Sequence, residues 1–161
     1  IGVGLVGSEM CIRDSLILDA ACIEIIKSNE FNSLPIITPH EGEAAKLLEV
    51  NVEEISNKRE YYAKKISDKF SVITVLKGYE TIITDGNKIY ICKDGDSSLA
   101  FAGSGDILAG LIGSFLAQGA KRIDSCLLGV SLHAYSATNS KLKRGLTANE
   151  LIDLIRKNLN Q

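Results

Sequence analysis

The stretch "SVITVLKGYETIITDGNKIYIC", residues 71–92, carries the strongest fold signal in this chain. It opens with an apolar, β-branched run of the kind that is buried in a parallel sheet. "TIITDGNKIYIC" then predicts two antiparallel strands, because Asp85 and Gly86 between apolar runs are a strong hairpin signal. The stretch therefore predicts a buried parallel strand next to one antiparallel hairpin.

Strands and helices alternate on both sides of this stretch. Upstream, "LILDA" (16–20) and "LPIITP" (34–39) predict buried strands, with "CIEIIKSNEF" as a short helix between them. A second helix is predicted to start with Thr38 as N-cap, Pro39 as the first residue and Glu41 completing a capping box. The spacing of apolar residues predicts a third helix over about 52–70.

Three helices are predicted downstream of the hairpin. They cover 106–118, with Gly119 as C-cap, about 124–139, and a last helix opened by a capping box of Thr147 and Glu150. Alternating strands and helices predict an α/β layered fold: a mainly parallel sheet flanked by helices, with one antiparallel hairpin.

Composition limits the class of protein. With 161 residues and 45% hydrophobic content, the chain can bury one core. The net charge is −2 and the basic residues are scattered, so nucleic acid is not an expected partner. No apolar run reaches the roughly 18 residues of a membrane span, so no membrane partner is expected. The four cysteines lack paired spacing, which favours reduced thiols and a cytoplasmic location.

The chain begins with Ile1, and "VGSEMCIRDS" resembles a translated sequencing-adapter string. Residues 1–15 are therefore expected to be non-native or the edge of a fragment. Residues 16–161 are then expected to be the C-terminal part of one domain.

Polar residues that follow buried strands are the first candidates for chemistry, because ligands bind at the carboxyl ends of strands in such sheets. Three segments qualify: 40–43, 77–81 and 102–106.

"FAGSGDILAG" (101–110) has two interpretations. Its glycines can turn backbone N–H groups toward an anion, which the positive end of the following helix stabilises, with Asp106 as an ionised acid at the same place. Alternatively, Asp106 only caps the helix and the glycines only form a turn. The string alone does not decide between them.

The other candidates are also ambiguous one at a time. Lys77 could contact a nucleotide phosphate or be a solvated charge at the sheet edge. His40, expected at the second position of its helix, could exchange protons near neutral pH or only bond locally. His133 lies on an apolar helix and is interpreted as a packed histidine.

Taken in order, "LILDA", "ITPHEGEAAKLL", "VLKGYETIITDG", "LAFAGSGDILAGLIGSFLAQG", "LLGVSLHAYSA" and "GLTANELI" resemble the NAD(P)H-hydrate dehydratases. This ribokinase-like family repairs hydrated nicotinamide cofactors. The resemblance implies an enzyme, a hydro-lyase that uses ADP or ATP, with Mg²⁺, to phosphorylate the ring hydroxyl of NADH or NADPH hydrate. Loss of phosphate then restores the dihydronicotinamide.

The resemblance also assigns roles to residues. Asp106 becomes the base that takes the hydroxyl proton and a substrate contact, and His40 a second substrate contact. Glu43 stands where related kinases keep an acidic residue that orders Mg²⁺-bound water. The anion hole is made of Ala102, Gly103, Ser104 and Gly105. The nucleotide site is made of Lys77, Gly78, Tyr79, Glu80, Thr81 and Gly105.

Two departures from the family pattern stand out. Ala102 and Gly103 replace the usual pair of glycines, which keeps the hole intact provided that φ of Ala102 is negative. Ala21 and Cys22 replace an Asp followed by Ala, which removes an expected polar contact near the substrate.

The resemblance implies a homo-oligomer, with a tetramer as the expected state, and leaves open an epimerase domain upstream. Two alternatives to the dehydratase stay open. One is a ribokinase-like vitamin or sugar kinase; the vitamin kinases of this superfamily usually carry Asn where His40 stands, so His40 favours the dehydratase. The other is an inactive nucleotide-binding fragment.

Overall fold

A computed structural model describes residues 16–29, 31, 33–140, 142 and 144–160. The expectation for residues 1–15 lies outside this range. Within the described residues, no helix combines the length and apolar character that crossing a membrane requires.

The core of the fold is a five-stranded sheet with the strands in chain order. β1 is parallel to β2 and β2 to β3, whereas β4 is antiparallel to both β3 and β5. Four of the five strands therefore point the same way, which confirms the mainly parallel sheet. The predicted hairpin is β4 and β5, and the β3–β4 pairing adds a second antiparallel contact. The strands are β1 Ile17–Leu18, β2 Ile36–Ile37, β3 Ile73–Leu76, β4 Thr81–Thr84 and β5 Ile89–Cys92.

Asp85 fixes the turn of the hairpin. Its Oδ1 accepts hydrogen bonds from the N–H groups of Asn87 (2.9 Å) and Lys88 (3.0 Å), while Gly86 takes a φ of +90°. The Asp side chain thus bonds the backbone two residues on and Gly supplies the left-handed conformation, which are the reasons these residue types favour turns.

Helices cover both faces of the sheet. Successive residues of a strand point to opposite sides, so its apolar side chains need a helix layer on each face. On β3, Ile73 and Val75 pack toward Ile112 and Cys126, whereas Leu76 joins the core that contains Ile66. One face carries the 3₁₀ helix Ala20–Lys27, α1 Glu41–Leu48, α2 Val52–Asn57 and α3 Arg59–Phe70. The other carries α4 Ser104–Ala117 and α5 Arg122–Thr138, against which α6 Ala148–Leu159 packs. The predicted α/β layers are confirmed.

The start of α1 differs from the prediction. His40, not Thr38, is the N-cap: its Nδ1 accepts from the N–H groups of Gly42 (2.9 Å) and Glu43 (3.3 Å), and Glu43 Oε2 accepts from the His40 N–H (2.7 Å). The Thr38 hydroxyl is unavailable because it donates to Asp19 Oδ1 (2.7 Å). A tertiary contact therefore moves the capping box two residues along, and His40 precedes the helix rather than lying at its second position.

Other helices also have different bounds from those predicted. The 52–70 region is two helices, α2 and α3, separated at Lys58, whose φ of −141° and ψ of 51° are not helical. Helix α4 begins at Ser104 after the N-cap Gly103, so Asp106 is its third residue rather than its first. The capping box of Thr147 and Glu150 at α6 is confirmed.

Candidate active site

A cleft of about 530 Å³ opens at the carboxyl end of β3. One wall is made of residues 77–81, the connection from β3 together with the first residue of β4, which are called the 77–81 loop below. The other walls come from the segment 94–101 and from the facing sides of α4 and α5. A depression of similar volume on α6 is lined only by the exposed side chains of Asp153, Arg156, Lys157 and Asn160. The cleft at β3 is therefore the site that combines apolar walls with convergent polar groups.

The cleft brings together seven of the predicted site residues. Helix α4 contributes Ser104 and Gly105 from its first turn, opposite the 77–81 loop. The loop contributes Lys77, Gly78, Tyr79, Glu80 and Thr81. Ala102, Gly103 and Asp106 adjoin this lining in sequence but lie outside it. His40 and Glu43, at the start of α1, also lie outside the lining.

The turn into α4 leaves several backbone donors free. Four N–H groups have no acceptor among the described residues: those of Ala102, Gly103, Gly105 and Asp106. The Ser104 N–H, in contrast, donates to Phe101 O (3.3 Å). Gly103 takes a φ of +92°, a conformation that L side chains rarely adopt, and φ of Ala102 is negative. Free N–H groups at a helix N-terminus are suited to hold an anion.

Asp106 stands beside these amides with its carboxylate exposed. As the third residue of α4 it lies in the first turn of the helix, where the dipole carries partial positive charge. Its side chain makes no hydrogen bond or ion pair with any described residue, so it does not cap the helix. The structure thus gives no support to the interpretation of Asp106 as a cap.

Asp19 is a polar residue of the site that the sequence analysis did not single out. Its Oδ1 accepts from Lys77 Nζ and from Thr38 Oγ1, both at 2.7 Å. Burial raises the pKa of Asp19, but hydrogen bonds from Lys77 and Thr38 and the Lys77 charge outweigh it and hold the pKa below the ordinary value of 3.8. The signal was available, because Asp19 directly follows a buried strand.

The Asp19–Lys77 pair lies against the start of α4. A Cβ added to Gly105 would lie 3.2 Å from Lys77 Nζ and 3.8 Å from Asp19 Oδ2. Glycine at this position therefore lets the ammonium group approach the helix N-terminus closely. Asp19 holds that ammonium group in place, so the site has one positive side chain next to its free amides.

His40 presents one nitrogen to solvent. Because Nδ1 accepts two backbone hydrogen bonds, a neutral ring carries its proton on Nε2. The side chain is 61% exposed, and Nε2 lies 3.6 Å from Glu43 Oε1. The residue before His40 connects it to the cleft, because the carbonyl oxygen of Pro39 accepts a hydrogen bond from the Lys77 N–H (2.8 Å).

The described residues of the site form no protein cage for a metal. No group of three or more His, Cys, Asp or Glu side chains suited to a metal ion occurs among the described residues. Glu43 Oε2 is already engaged by the His40 N–H. Since Mg²⁺ usually keeps several waters and binds one or two carboxylates plus substrate phosphates, these residues fit an ion held mainly by a nucleotide and water.

His133 forms part of the cleft wall as a buried, neutral residue. Its Nε2 lies 3.1 Å from Ser104 O, and since a carbonyl only accepts, Nε2 carries the proton. Burial lowers the pKa of His133 to about 4, against an opposing effect of the Ser104 carbonyl. The interpretation of His133 as a packed histidine agrees with this environment.

The sheet and its two helix layers define an α/β protein with a ribokinase-like fold. A family model described as NAD(P)H-hydrate dehydratase matches residues 6–158. The chain therefore belongs to the NAD(P)H-hydrate dehydratase family, as the motifs around His40, Lys77 and Asp106 predicted.

Three similar proteins illustrate this membership. A bifunctional NAD(P)H-hydrate repair enzyme of Vibrio cholerae is 37% identical over 146 residues, which cover 88% of this chain and 30% of that protein. An ADP-dependent (S)-NAD(P)H-hydrate dehydratase of Neisseria meningitidis is 36% identical, over 83% of this chain and 48% of that protein. The crystal structure of a Bacillus subtilis ADP/ATP-dependent NAD(P)H-hydrate dehydratase, co-crystallised with ATP/Mg²⁺, has a TM-score of 0.84 and 30% identity, covering 91% of this chain and 54% of that one. The chain thus spans about half or less of the length of these relatives.

Proposed function

We propose that this chain is part of an enzyme that dehydrates (S)-NAD(P)H hydrate to NAD(P)H with ADP or ATP as phosphoryl donor. The observation that carries the proposal is the exposed, unpaired carboxylate of Asp106 beside the free N–H groups at the start of α4. The named activities of the Neisseria and Bacillus relatives support the choice of substrate and nucleotide.

The residues divide the work of a phosphoryl transfer. Asp106 takes the proton of the ring hydroxyl while the hydroxyl oxygen bonds to the terminal phosphorus and the bond from that phosphorus to the nucleotide breaks. The free amides of Ala102, Gly103 and Gly105 and the ammonium group of Lys77 face the charge of the moving group. Such reactions depend mainly on positioning and charge stabilisation, which this site provides.

The cleft is assigned to the nucleotide and the start of α1 to the hydrate. The nucleotide site would be lined by Lys77, Gly78, Tyr79, Glu80 and Thr81. Tyr79, with 80% of its surface exposed, offers an aromatic face. The Nε2–H of His40 is available as a donor to the substrate. Glu43 would order water on Mg²⁺, which supplies additional neutralisation of phosphate charge when bound.

After transfer, the C–O bond to the phosphorylated oxygen breaks and phosphate leaves. Loss of a proton from the ring then restores the double bond of the dihydronicotinamide. A homo-oligomer, with a tetramer as the expected state, and a fused epimerase domain remain predictions for the whole protein.

The activity is tested by supplying hydrated NADH or NADPH, Mg²⁺ and either ADP or ATP. We expect dihydronicotinamide absorbance to return only when nucleotide is present. Release of a phosphorylated vitamin or sugar, with no return of absorbance, would instead support the kinase alternative. Nucleotide binding without any turnover would support the inactive-fragment alternative.

A further inference from the structure

Arg59 connects the first residue of α3 to the 77–81 loop. Its Nη2 donates to the carbonyl oxygens of Leu76 and Lys77, both at 3.3 Å. Its Nη1 donates to the carbonyl oxygens of Tyr79 and Glu80, the latter at 3.2 Å. One guanidinium group therefore binds four backbone carbonyls of the segment that enters and forms the nucleotide side of the cleft.

These contacts fix the direction of the loop amides. In a trans peptide unit the C=O and N–H groups point in opposite directions. Because the Lys77 and Tyr79 carbonyls point at Arg59, the N–H groups of Gly78 and Glu80 point away from it. Neither N–H group has an acceptor among the described residues. Neighbouring free amides of this kind form concave sites for anions.

The loop conformation depends on this support. Glu80 has a φ of +56°, which is uncommon for a residue with a side chain, and both of its flanking carbonyls, those of Tyr79 and Glu80, bind Arg59. Gly78 has a φ of +148°, and a Cβ added there would lie 2.7 Å from Arg59 Nη2. A side chain at position 78 would therefore displace the Arg59 guanidinium group, and the φ of +148° itself is one that L side chains rarely adopt.

Arg59 also reaches the start of α1. Its Nε lies 3.0 Å from Glu41 Oε1, and this ion pair is largely buried, with the two side chains 15% and 30% exposed. Glu41 follows the N-cap His40 directly. The guanidinium group therefore links the loop assigned to the nucleotide with the turn assigned to the hydrate.

Only arginine offers this set of contacts. Its planar fork carries five N–H donors, whereas lysine carries three on a single point charge. A lysine at position 59 would keep the charge near Glu41 but could not bind carbonyls on both sides of the loop.

We propose that Arg59 is a positioning residue that turns the 77–81 loop so that the N–H groups of Gly78 and Glu80 face the nucleotide phosphates. The proposal rests on the proposed function for the identity of the ligand. The loop conformation itself can be tested without any ligand.

The test compares Arg59→Lys with the wild-type chain by amide hydrogen exchange and by calorimetric titration with ADP. The reporter is the Lys77 N–H, which donates to Pro39 O at 2.8 Å and stays protected only while the loop keeps its place. We expect Arg59→Lys to speed exchange at Lys77 about tenfold and to weaken ADP binding about tenfold. Exchange at Ile83, in the middle of the hairpin, should not change.

Lys64→Met is the matched control. Lys64 lies on the same helix as Arg59 and also donates to a backbone carbonyl between two strands. This carbonyl belongs to Gly86, in the turn between β4 and β5, which is not part of the cleft lining. Its replacement should affect the 85–88 turn and leave Lys77 exchange and ADP affinity as they are. Gly78→Ala changes the loop side of the contact, since its added Cβ displaces the Arg59 guanidinium group. This variant should also speed amide exchange at Lys77.

Unchanged Lys77 exchange in both Arg59→Lys and Gly78→Ala would overturn the proposal. An acceleration of equal size throughout the chain, or in Lys64→Met, would overturn it too, since it would indicate general destabilisation. If the wild-type chain bound no ADP, the proposed function would be in question, while Lys77 exchange would still decide whether Arg59 sets the loop.

Discussion

At the scale of single residues, the site contains two polar side chains that burial affects in different ways. Asp19 is kept ionised by Lys77 and Thr38, whereas His133 is kept neutral by its surroundings. Each makes the stability of the chain depend on pH, in a range that follows from its pKa.

Asp19→Asn should destabilise the chain at neutral pH. The variant loses the ion pair with Lys77, which we expect to cost about 1–2 kcal/mol after solvent screening. Since the pKa of Asp19 is lowered in the fold, its contribution is present above pH 3.8 and is lost as the pH falls through the lower, folded value.

Urea unfolding across this pH range measures the effect. The stability difference between wild type and Asp19→Asn should be largest above pH 3.8 and shrink below it. Asp153→Asn, on the exposed side of α6, is the control. A difference that stayed constant down to low pH would contradict the assignment.

His133 should titrate far below the ordinary pKa of histidine. With a pKa of about 4 in the fold against 6.5 in the unfolded chain, the neutral ring stabilises the fold fully above pH 6.5. The free energy of unfolding therefore falls by on the order of 3 kcal/mol as the pH falls from 6.5 toward 4.

NMR titration of the His133 ring checks this prediction directly, and unfolding free energies over the same pH range check its consequence. A ring midpoint near 6.5, or stability that does not change between pH 6.5 and 4, would show that His133 is not buried as described.

At the scale of elements, the sequence predicts the structure where local signals decide it. The hairpin follows from Asp85 and Gly86, and the start of α6 from Thr147 and Glu150; both depend on residues next to each other in the chain. The prediction fails where a distant partner intervenes. Thr38 has the right spacing for a capping box, but Asp19, 19 residues away, takes its hydroxyl.

The break between α2 and α3 has a similar explanation. The buried residues Ile55, Tyr62 and Ile66 keep helical spacing across it, so the apolar pattern could not show that the helix stops at Lys58. The contacts of Arg59 with the 77–81 loop are equally invisible to local spacing. The candidate site was predicted from its motifs, and the position of Asp19 directly after a predicted strand was a further signal, whereas the contacts of Arg59 required the fold.

The crossing of α4 and α5 gives a prediction about packing. A Cβ added to Gly129 would lie 2.7 Å from Ile112 Cγ1 and 3.3 Å from Ile112 N. Gly129→Ala should therefore force the helices apart and lower the unfolding free energy by about 1–3 kcal/mol.

Gly110→Ala is the matched control for the same measurement. Position 110 lies within α4 with no atom within 4 Å of an added Cβ, so alanine should stabilise the helix by about 0.5–1 kcal/mol. Denaturant unfolding of both variants should show shifts of opposite sign. Equal effects would contradict the close contact at Gly129.

At the scale of the whole molecule, the layered fold brings distant segments to one edge of the sheet. The carboxyl ends of the parallel strands deliver Asp19, His40 and Lys77, and the helix layer on the other face delivers the first turn of α4. The sheet thus places a positive side chain, free backbone amides and the carboxylate of Asp106 around one cleft.

The role of Asp106 as the base is tested most directly by comparing wild type with Asp106→Asn. The return of dihydronicotinamide absorbance from hydrated NADH is followed with Mg²⁺ and saturating ADP or ATP, and ADP affinity is measured alongside. We expect the variant to lose activity about 100-fold or more, as for loss of a general base, while ADP binds about as before. Retained activity in Asp106→Asn, or equal loss of activity and of ADP binding, would contradict the role of Asp106 as the base.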